Sequence, residues 1–496
     1  MLASCTVVVP TIGRPSLDVL LDALAAAPGP RPAGLVVVDD RPTGPPLAVE
    51  RPGLPPVRVV RTGGGGPARA RNLGWRTAGT EWIAFLDDDV VPDPDWYERL
   101  AADLAGLPAD VAGSQGRVRV PLPADRRPTD WERGTAGLAT SAWITADLAY
   151  RRAALAAVGG FDERFPRAFR EDSDLALRVM DAGTRLVRGH RWITHPVRPV
   201  DRWVSVRVQA GNADDVLMRR LHGPGWRDRA EAALGRRPQH LAVTAAGLAA
   251  LGLAAARRPR PALAAALAWA AGTAEFAWAR IAPGPRDRAE VTTMALTSAV
   301  IPPLATGHWL RGVVQHRRVT PWRGLPDLVL FDRDGTLVRD FPYNGDPELV
   351  KPVPGAREAV DALRARGVRV GVVSNQSGVA RGIITREQVD ACMARLDELL
   401  GPFDTVQVCP HGPDDGCSCR KPAPGMVKAA CTGLDVDPAR TVVVGDIGAD
   451  VAAAAAAGAS GILVPTPVTR RQEVEAAPRV AATLTAAVDD VLAGRW

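Results

Sequence analysis

The sequence predicts an α/β protein of more than one domain, on three observations. Short Val-rich runs recur along the chain, each ending in polar or acidic residues. Stretches of helical character separate them, and that alternation gives a mostly parallel sheet. At 496 residues the chain is too long for one ordinary core, so two or three domains are expected. They divide as residues 1–235, 236–322 and 323–496.

Composition narrows the function. Apolar residues make up 46% and charged residues 23%, as in a globular protein. The net charge of +6 is mild for this length, and no Lys/Arg block carries interleaved aromatics, which argues against a nucleic-acid partner. Thr6–Val9 reads as a strand from the outset, not as a secretory signal, so a cytoplasmic protein is expected. Of six cysteines, three cluster at Cys409, Cys417 and Cys419, which favours a metal site in a reducing compartment over a disulfide framework.

In the first segment Thr6–Val9 and Leu35–Val38 read as strands, the second ending at Asp39-Asp40. A run of glycines, Gly63–Gly66, leads into a helix start at Pro67-Ala68-Arg69-Ala70-Arg71-Asn72. Glu81–Leu86 then reads as a strand delivering Asp87-Asp88-Asp89. Further on, Arg170-Glu171-Asp172-Ser173-Asp174 opens a helix running to about Asp181. These features resemble the inverting family-2 glycosyltransferases, which have the GT-A nucleotide-sugar-binding fold. The resemblance implies that Asp39 or Asp40 contacts the nucleotide, and that Asp87 and Asp89 hold Mg²⁺ or Mn²⁺ on the donor diphosphate. Such a cation stabilises the departing nucleoside diphosphate. It further implies an acidic base for the acceptor hydroxyl, Asp172 with Glu171 in reserve, and gives His195 a place near the metal or diphosphate. Processive members carry Q-x-x-R-W. Here Arg188-Gly189-His190-Arg191-Trp192 has arginine in place of the glutamine, so transfer of a single sugar is expected.

The middle segment is Ala-rich and helical. Leu241–Ala256 and Ala262–Ala274 carry no charge, and Met294–Leu310 is interrupted by Pro302-Pro303. A bilayer span takes about 20 apolar residues, and Ala contributes little to insertion. Arginines flank the first run on both sides, so no asymmetry sets an orientation. Two readings stand side by side: peripheral helices at the inner face of the plasma membrane, or an ordinary bundle packed on the first domain.

The last segment opens on Leu328-Val329-Leu330-Phe331-Asp332-Arg333-Asp334-Gly335-Thr336-Leu337. Four apolar residues read as a buried strand that delivers two carboxylates one residue apart. Carboxylates this close repel unless they share a proton or a cation, and oxygen ligands of this kind suit Mg²⁺. Later come Val368–Val373 with Ser374-Asn375-Gln376-Ser377-Gly378, then Arg420-Lys421-Pro422, then Thr441–Gly445 with Asp446 and Asp450. Between them, Cys409, His411, Cys417 and Cys419 form C-x-H…C-x-C, a set suited to tetrahedral Zn²⁺ that folds an otherwise irregular loop.

These motifs, in this order, resemble the haloacid-dehalogenase (HAD) phosphatase superfamily, with its Rossmann-like domain. The resemblance implies that Asp332 attacks phosphorus and forms an aspartyl-phosphate, while Asp334 serves as acid and then base. Asp446 completes the Mg²⁺ site with Asp332 and the Asp334 carbonyl, supported by Asp450. Ser374 and Lys421 bind phosphoryl oxygens, and Asn375 and Arg420 face the substrate. The zinc loop and Asn375–Gly382 resemble the heptose-bisphosphate phosphatases, with the histidinol-phosphate phosphatases close behind. The lysine that usually follows the last Gly-Asp is Ile447 here, which bears on bisphosphate specificity.

Together these readings predict a bifunctional sugar enzyme. Its phosphatase would act on a heptose 1,7-bisphosphate or similar sugar phosphate, and its transferase would move a sugar from a nucleotide-sugar donor to a glycan or small-molecule acceptor. The alternative is a phosphatase for histidinol phosphate or another small phosphomonoester, with a non-catalytic sugar-binding or membrane-docking first domain.

Overall fold

The structure is a computed structural model describing residues 2–496. The chain forms two compact units, Met1–Pro321 and Trp322–Trp496.

In the first unit eight strands make one sheet: β1 (Cys5–Thr11), β2 (Gly34–Asp39), β3 (Val57–Arg61), β4 (Trp82–Leu86), β5 (Val91–Pro92), β6 (Val111–Arg119), β7 (Asp147–Arg151) and β8 (Arg185–Thr194). Their order is β3-β2-β1-β4-β7-β6-β8-β5. The first four in that order are parallel, whereas β7 runs antiparallel to β4 and β6. Alternate residues of each strand enter opposite cores. Val7, Val9, Leu35 and Val37 pack with Leu20, Leu21 and Trp96 on one face; Val8, Val36 and Val38 pack with Trp75 and Phe161 on the other. Sheets buried on both faces need such continuous apolar runs. Because β1 and β2 are in register up to Thr11 and Asp39, and β4 lies on the other side of β1, the acidic residues after β2 and β4 leave the same carboxyl edge.

Arg191 and Trp192 belong to β8, not to a catalytic helix. Arg191 is fully buried, ion-paired to Asp103 at 3.0 Å and Asp147 at 2.7 Å, and donates to the Ser114 hydroxyl and carbonyl. Arg191 is therefore a core tie, whereas half-buried Trp192 lies against Arg117 and Arg119.

Three helices close the unit: Arg237–Ala255, Pro259–Ile281 and Arg288–Gln315. The third continues through Pro302 and Pro303, where the sequence predicts an interruption. It packs on the helix Asn212–His222 and on the other two closing helices.

The second unit holds an all-parallel sheet of β9 (Leu328–Phe331), β10 (Arg369–Asn375), β11 (Thr405–Cys409), β12 (Thr441–Gly445) and β13 (Ser460–Leu463), in the order β11-β10-β9-β12-β13. Phe331 pairs with Val372 on one side and Val444 on the other. Asp332, Ser374 and Asp446 therefore come off three adjacent strands at one edge.

Candidate active sites

In the second unit Asp332, Asp446 and Asp450 converge so that one carboxylate oxygen of each lies within 4.8 Å of the others. Two glycines make this approach possible. A Cβ on Gly335 would stand 2.3 Å from Asp446 Oδ2, and one on Gly445 would stand 2.2 Å from the Asp450 carboxyl carbon. Gly335 also adopts φ +77°, a left-handed conformation that side chains disfavour. Three buried carboxylates at one point are the donor set that Mg²⁺ prefers, so these residues fit the ion.

Lys421 sits beneath them, buried, with its ammonium against Asp332, 2.6 Å from Asp450 and donating to the Val373 carbonyl at 2.9 Å. Burial lifts the Asp332 carboxyl well above its usual range, although Lys421 opposes that rise. Asp446 is raised to about 6 by burial and by the nearby Asp450 charge, and it accepts from the Thr466 hydroxyl.

Several predicted residues sit differently. The Asp334 carboxylate is outside the three-carboxylate cluster: Arg333 grips it, and Gln376 Nε2 donates to it at 2.9 Å. The expectation for the ion concerns its main-chain carbonyl, so the place of the carboxylate does not contradict it. Asn375, expected to face substrate, spends both amide atoms on the Lys421 backbone, each at 3.1 Å, and so fixes the lysine. Arg420 donates to the His411 carbonyl, tying the zinc loop to Lys421. Ser374 is fully buried and accepts from Gln376 Nε2 at 2.8 Å. Gln376 thus joins Asp334 to Ser374. Sequence reasoning assigned it no role, although it lies in the same Ser-Asn-Gln string.

Cys409, His411, Cys417 and Cys419 converge as expected. The sulfur pairs stand 3.2, 3.5 and 3.8 Å apart, and His411 Nδ1 lies 3.2 Å from Cys419 Sγ. Tetrahedral Zn²⁺ with ligands at about 2.3 Å separates thiolates by roughly 3.8 Å, so the four residues fit that ion after slight expansion.

In the first unit a cavity of about 440 Å³ opens at the carboxyl edge, walled by Asp40, Asp87, Asp89, Glu171, Asp172 and His195 among others. Asp40 accepts from the N–H groups of Gly65 and Gly66 and from Thr62, which anchors the glycine run beside the cavity. Asp39 is turned away: Arg41 and Arg61 clamp it, and it is absent from the cavity wall. Of that pair, only Asp40 reaches the cavity. Asp87 pairs with Arg71 at 2.8 Å, and Asp89 lies 3.2 Å from Arg198 and 3.6 Å from His195. Asp88 is held by Thr11 at 2.6 Å and Arg14 at 2.7 Å, so the middle acid sets the turn. Arg71 reaches Glu171 as well, at 2.8 Å, linking the helix Pro67–Thr77 to the helix Glu171–Asp181. Burial first, and the Asp172 charge second, raise Glu171 to about 8. Burial raises Asp172 too.

Known proteins resemble the chain in both of its units. The profile for glycosyl transferase family 2 matches residues 6–154. Profiles for haloacid dehalogenase-like hydrolases match residues 329–392 and 418–493. The D-glycero-beta-D-manno-heptose-1,7-bisphosphate 7-phosphatase of Pseudomonas putida is 40% identical over 144 residues, 28% of this chain and 82% of that protein. The chain belongs to the haloacid dehalogenase-like phosphatases. The protein of Thermoplasma acidophilum named probable D-glycero-D-manno-heptose-1,7-bisphosphate 7-phosphatase is 35% identical over 122 residues, 24% of this chain and 76% of that protein. The crystal structure of D,D-heptose 1,7-bisphosphate phosphatase from B. bronchiseptica, complexed with magnesium and phosphate, is 34% identical; the match covers 34% of this chain and 98% of that one, with a TM-score of 0.31. The chain is thus an enzyme that joins a family-2 glycosyltransferase domain to a HAD phosphatase domain.

Proposed function

We propose that the HAD unit removes a phosphate from D-glycero-D-manno-heptose 1,7-bisphosphate or a close sugar phosphate, through an ester on Asp332. The convergence of Asp332 with Asp446 and Asp450 over a buried lysine carries this reading; the names of the relatives supply the sugar. Asp332 and Asp446, with the Asp334 carbonyl, would hold Mg²⁺, which draws charge from the phosphoryl oxygens when bound. The Asp332 carboxylate bonds phosphorus as the bond to the sugar oxygen breaks, and Asp334 gives that oxygen its proton. Asp334 then takes a proton from the water that cleaves the ester, returning Asp332 and releasing phosphate. Arg333 and Gln376 hold Asp334 for both transfers. Lys421, aligned by Asn375, neutralises the charge gathered at Asp332. Zn²⁺ on Cys409, His411, Cys417 and Cys419 would brace the loop that ends at Arg420-Lys421.

The first unit, on this proposal, transfers a sugar from a nucleotide-sugar donor with inversion. Asp87 and Asp89 would hold Mg²⁺ or Mn²⁺ against the donor diphosphate, Asp40 would contact the nucleotide, and Asp172 would take the acceptor proton. Their shared cavity supports this reading. Phosphate release from heptose 1,7-bisphosphate, histidinol phosphate and other sugar phosphates tests the first half; strong preference for histidinol phosphate removes the heptose assignment. Metal-dependent release of nucleoside diphosphate tests the second. If wild type and Asp87→Ala, Asp89→Ala chains turn over no donor alike, the domain is a binding module.

A further inference from the structure

The transferase cavity does not end at Asp172. A second cavity of about 810 Å³ shares Trp131, Gly134 and Arg198 with it. The closing helices contribute Phe276 and Arg280 from Pro259–Ile281, and Glu290, Thr293, Met294 and Ile301 from Arg288–Gln315, so apolar side chains alternate with polar ones along that wall. Val200 and Val208, 43% and 52% exposed, lie along the same cavity. The groove thus runs from acidic and basic groups at the transferase site to a wall where Phe276, Met294 and Ile301 supply apolar contact between polar neighbours.

Beyond the groove, the helices Arg237–Ala255 and Pro259–Ile281 pair as a hairpin, and their most apolar stretches are only 11% buried. Leu248, Leu251, Leu263 and Leu267 are each more than 60% exposed. A water-facing helix places charge on its outer side. Here no charged residue occurs from Leu241 to Ala256 or from Pro261 to Ala274. Charge returns only at the ends. The tip carries Arg257, Arg258 and Arg260, all exposed, with no acid among them. The root carries the Arg236–Glu275 pair and Arg280, which is tied to Asp130 at 2.9 Å. Exposed Trp278 also sits at the root. From His240 to Ala255 the helix rises about 22 Å, and the arginines beyond its end can extend toward the headgroups of a hydrocarbon core of roughly 30 Å. An uncharged belt with a basic tip complements an anionic bilayer.

We propose that the hairpin enters an anionic lipid bilayer and that the groove takes a membrane-borne acceptor, an oxygen nucleophile on a long apolar chain. This rests on the transferase reading above. The head passes Arg198 to Asp172, and the chain lies along Phe276, Met294 and Ile301. The acceptor oxygen bonds the anomeric carbon as the bond from that carbon to the nucleoside diphosphate breaks; a hydroxyl proton, where the head has one, goes to Asp172.

Flotation of the full chain with phosphatidylcholine vesicles, with and without phosphatidylglycerol, tests the surface. The wild type is expected to float with the anionic vesicles, whereas Leu248→Glu combined with Leu263→Glu stays in the dense fraction and keeps its phosphate release. A wild type that stays in the dense fraction, or that buries the hairpin by dimerising in lipid-free buffer and ignores vesicles, overturns the proposal. Nucleoside-diphosphate release, measured with hexadecyl phosphate or hexadecanol in the vesicles, tests the groove. One of the two is expected to raise release severalfold over basal donor hydrolysis. Met294→Trp is expected to abolish that rise while leaving flotation intact. Stimulation by water-soluble sugars alone, or by neither lipid, contradicts the lipid acceptor. If no donor is hydrolysed under any condition, the transferase reading itself fails, and the acceptor claim falls with it even where flotation succeeds.

Discussion

Gly335 does two things that no other residue can do at once. It takes the left-handed turn after the aspartates and leaves room for the Asp446 carboxylate, which a Cβ would meet at 2.3 Å. Gly335→Ala is therefore expected to displace Asp446 and lower phosphate release by about 10²-fold or more, while Mg²⁺ no longer raises the unfolding temperature of the second unit. Wild-type turnover and an unchanged Mg²⁺ response would contradict that. Glu171 offers a pH test in the first unit. Its carboxyl is raised to about 8 in the native state, so the fold keeps a proton that the unfolded chain releases at lower pH. The resulting stabilisation is full below the ordinary carboxylate range and is lost as pH rises through about 8. Glu171→Gln keeps the acceptor for Arg71 and cannot ionise. Thermal unfolding of the first unit should lose stability toward pH 8 in wild type and respond less in the variant. At this scale the acidic residues were legible because each closes an apolar run. The partners of Asn375 and Gln376 were not, because an amide's direction depends on the turn that carries it and leaves no periodic trace.

Among the elements, β9, β10 and β12 were legible as apolar runs because a parallel strand covered on both faces tolerates nothing else. β6 and β7 escaped that rule. β6 reads Val-Ala-Gly-Ser-Gln-Gly-Arg-Val-Arg, and its buried polar atoms are satisfied by tertiary partners: Ser114 by Arg191, and Gln115 by the Ser141 carbonyl. Such pairing has no sequence signature. The zinc loop was legible for the opposite reason, since ligand spacing alone announces it. Cys417→Ser removes one of four ligands and is expected to lower bound zinc to well under one per chain and to weaken phosphate release through the loop that carries Arg420-Lys421. Metal analysis and turnover on the same preparation check this; full zinc content in the variant would exclude Cys417 as a ligand.

For the whole molecule, the two chemistries occupy separate units, each with its own sheet and carboxyl edge. Asp89→Asn is expected to abolish donor turnover and spare phosphate release, and Asp332→Asn to do the reverse. Loss of both activities in either variant would show coupling that the account does not contain. The division into a transferase and a phosphatase was legible from motif order, whereas the hairpin's surroundings were not. An Ala-rich run has the same sequence pattern whether lipid or protein covers it, and the exposed leucines are what the bilayer proposal rests on.

We propose Asp332 as the phosphate-accepting nucleophile of a heptose-bisphosphate phosphatase. The most direct measurement is Mg²⁺-dependent phosphate release from D-glycero-D-manno-heptose 1,7-bisphosphate by the full chain, wild type against Asp332→Asn. The account predicts one phosphate released per sugar by wild type and background release by the variant. Comparable release by both, or none by wild type while another phosphomonoester is cleaved readily, would contradict it.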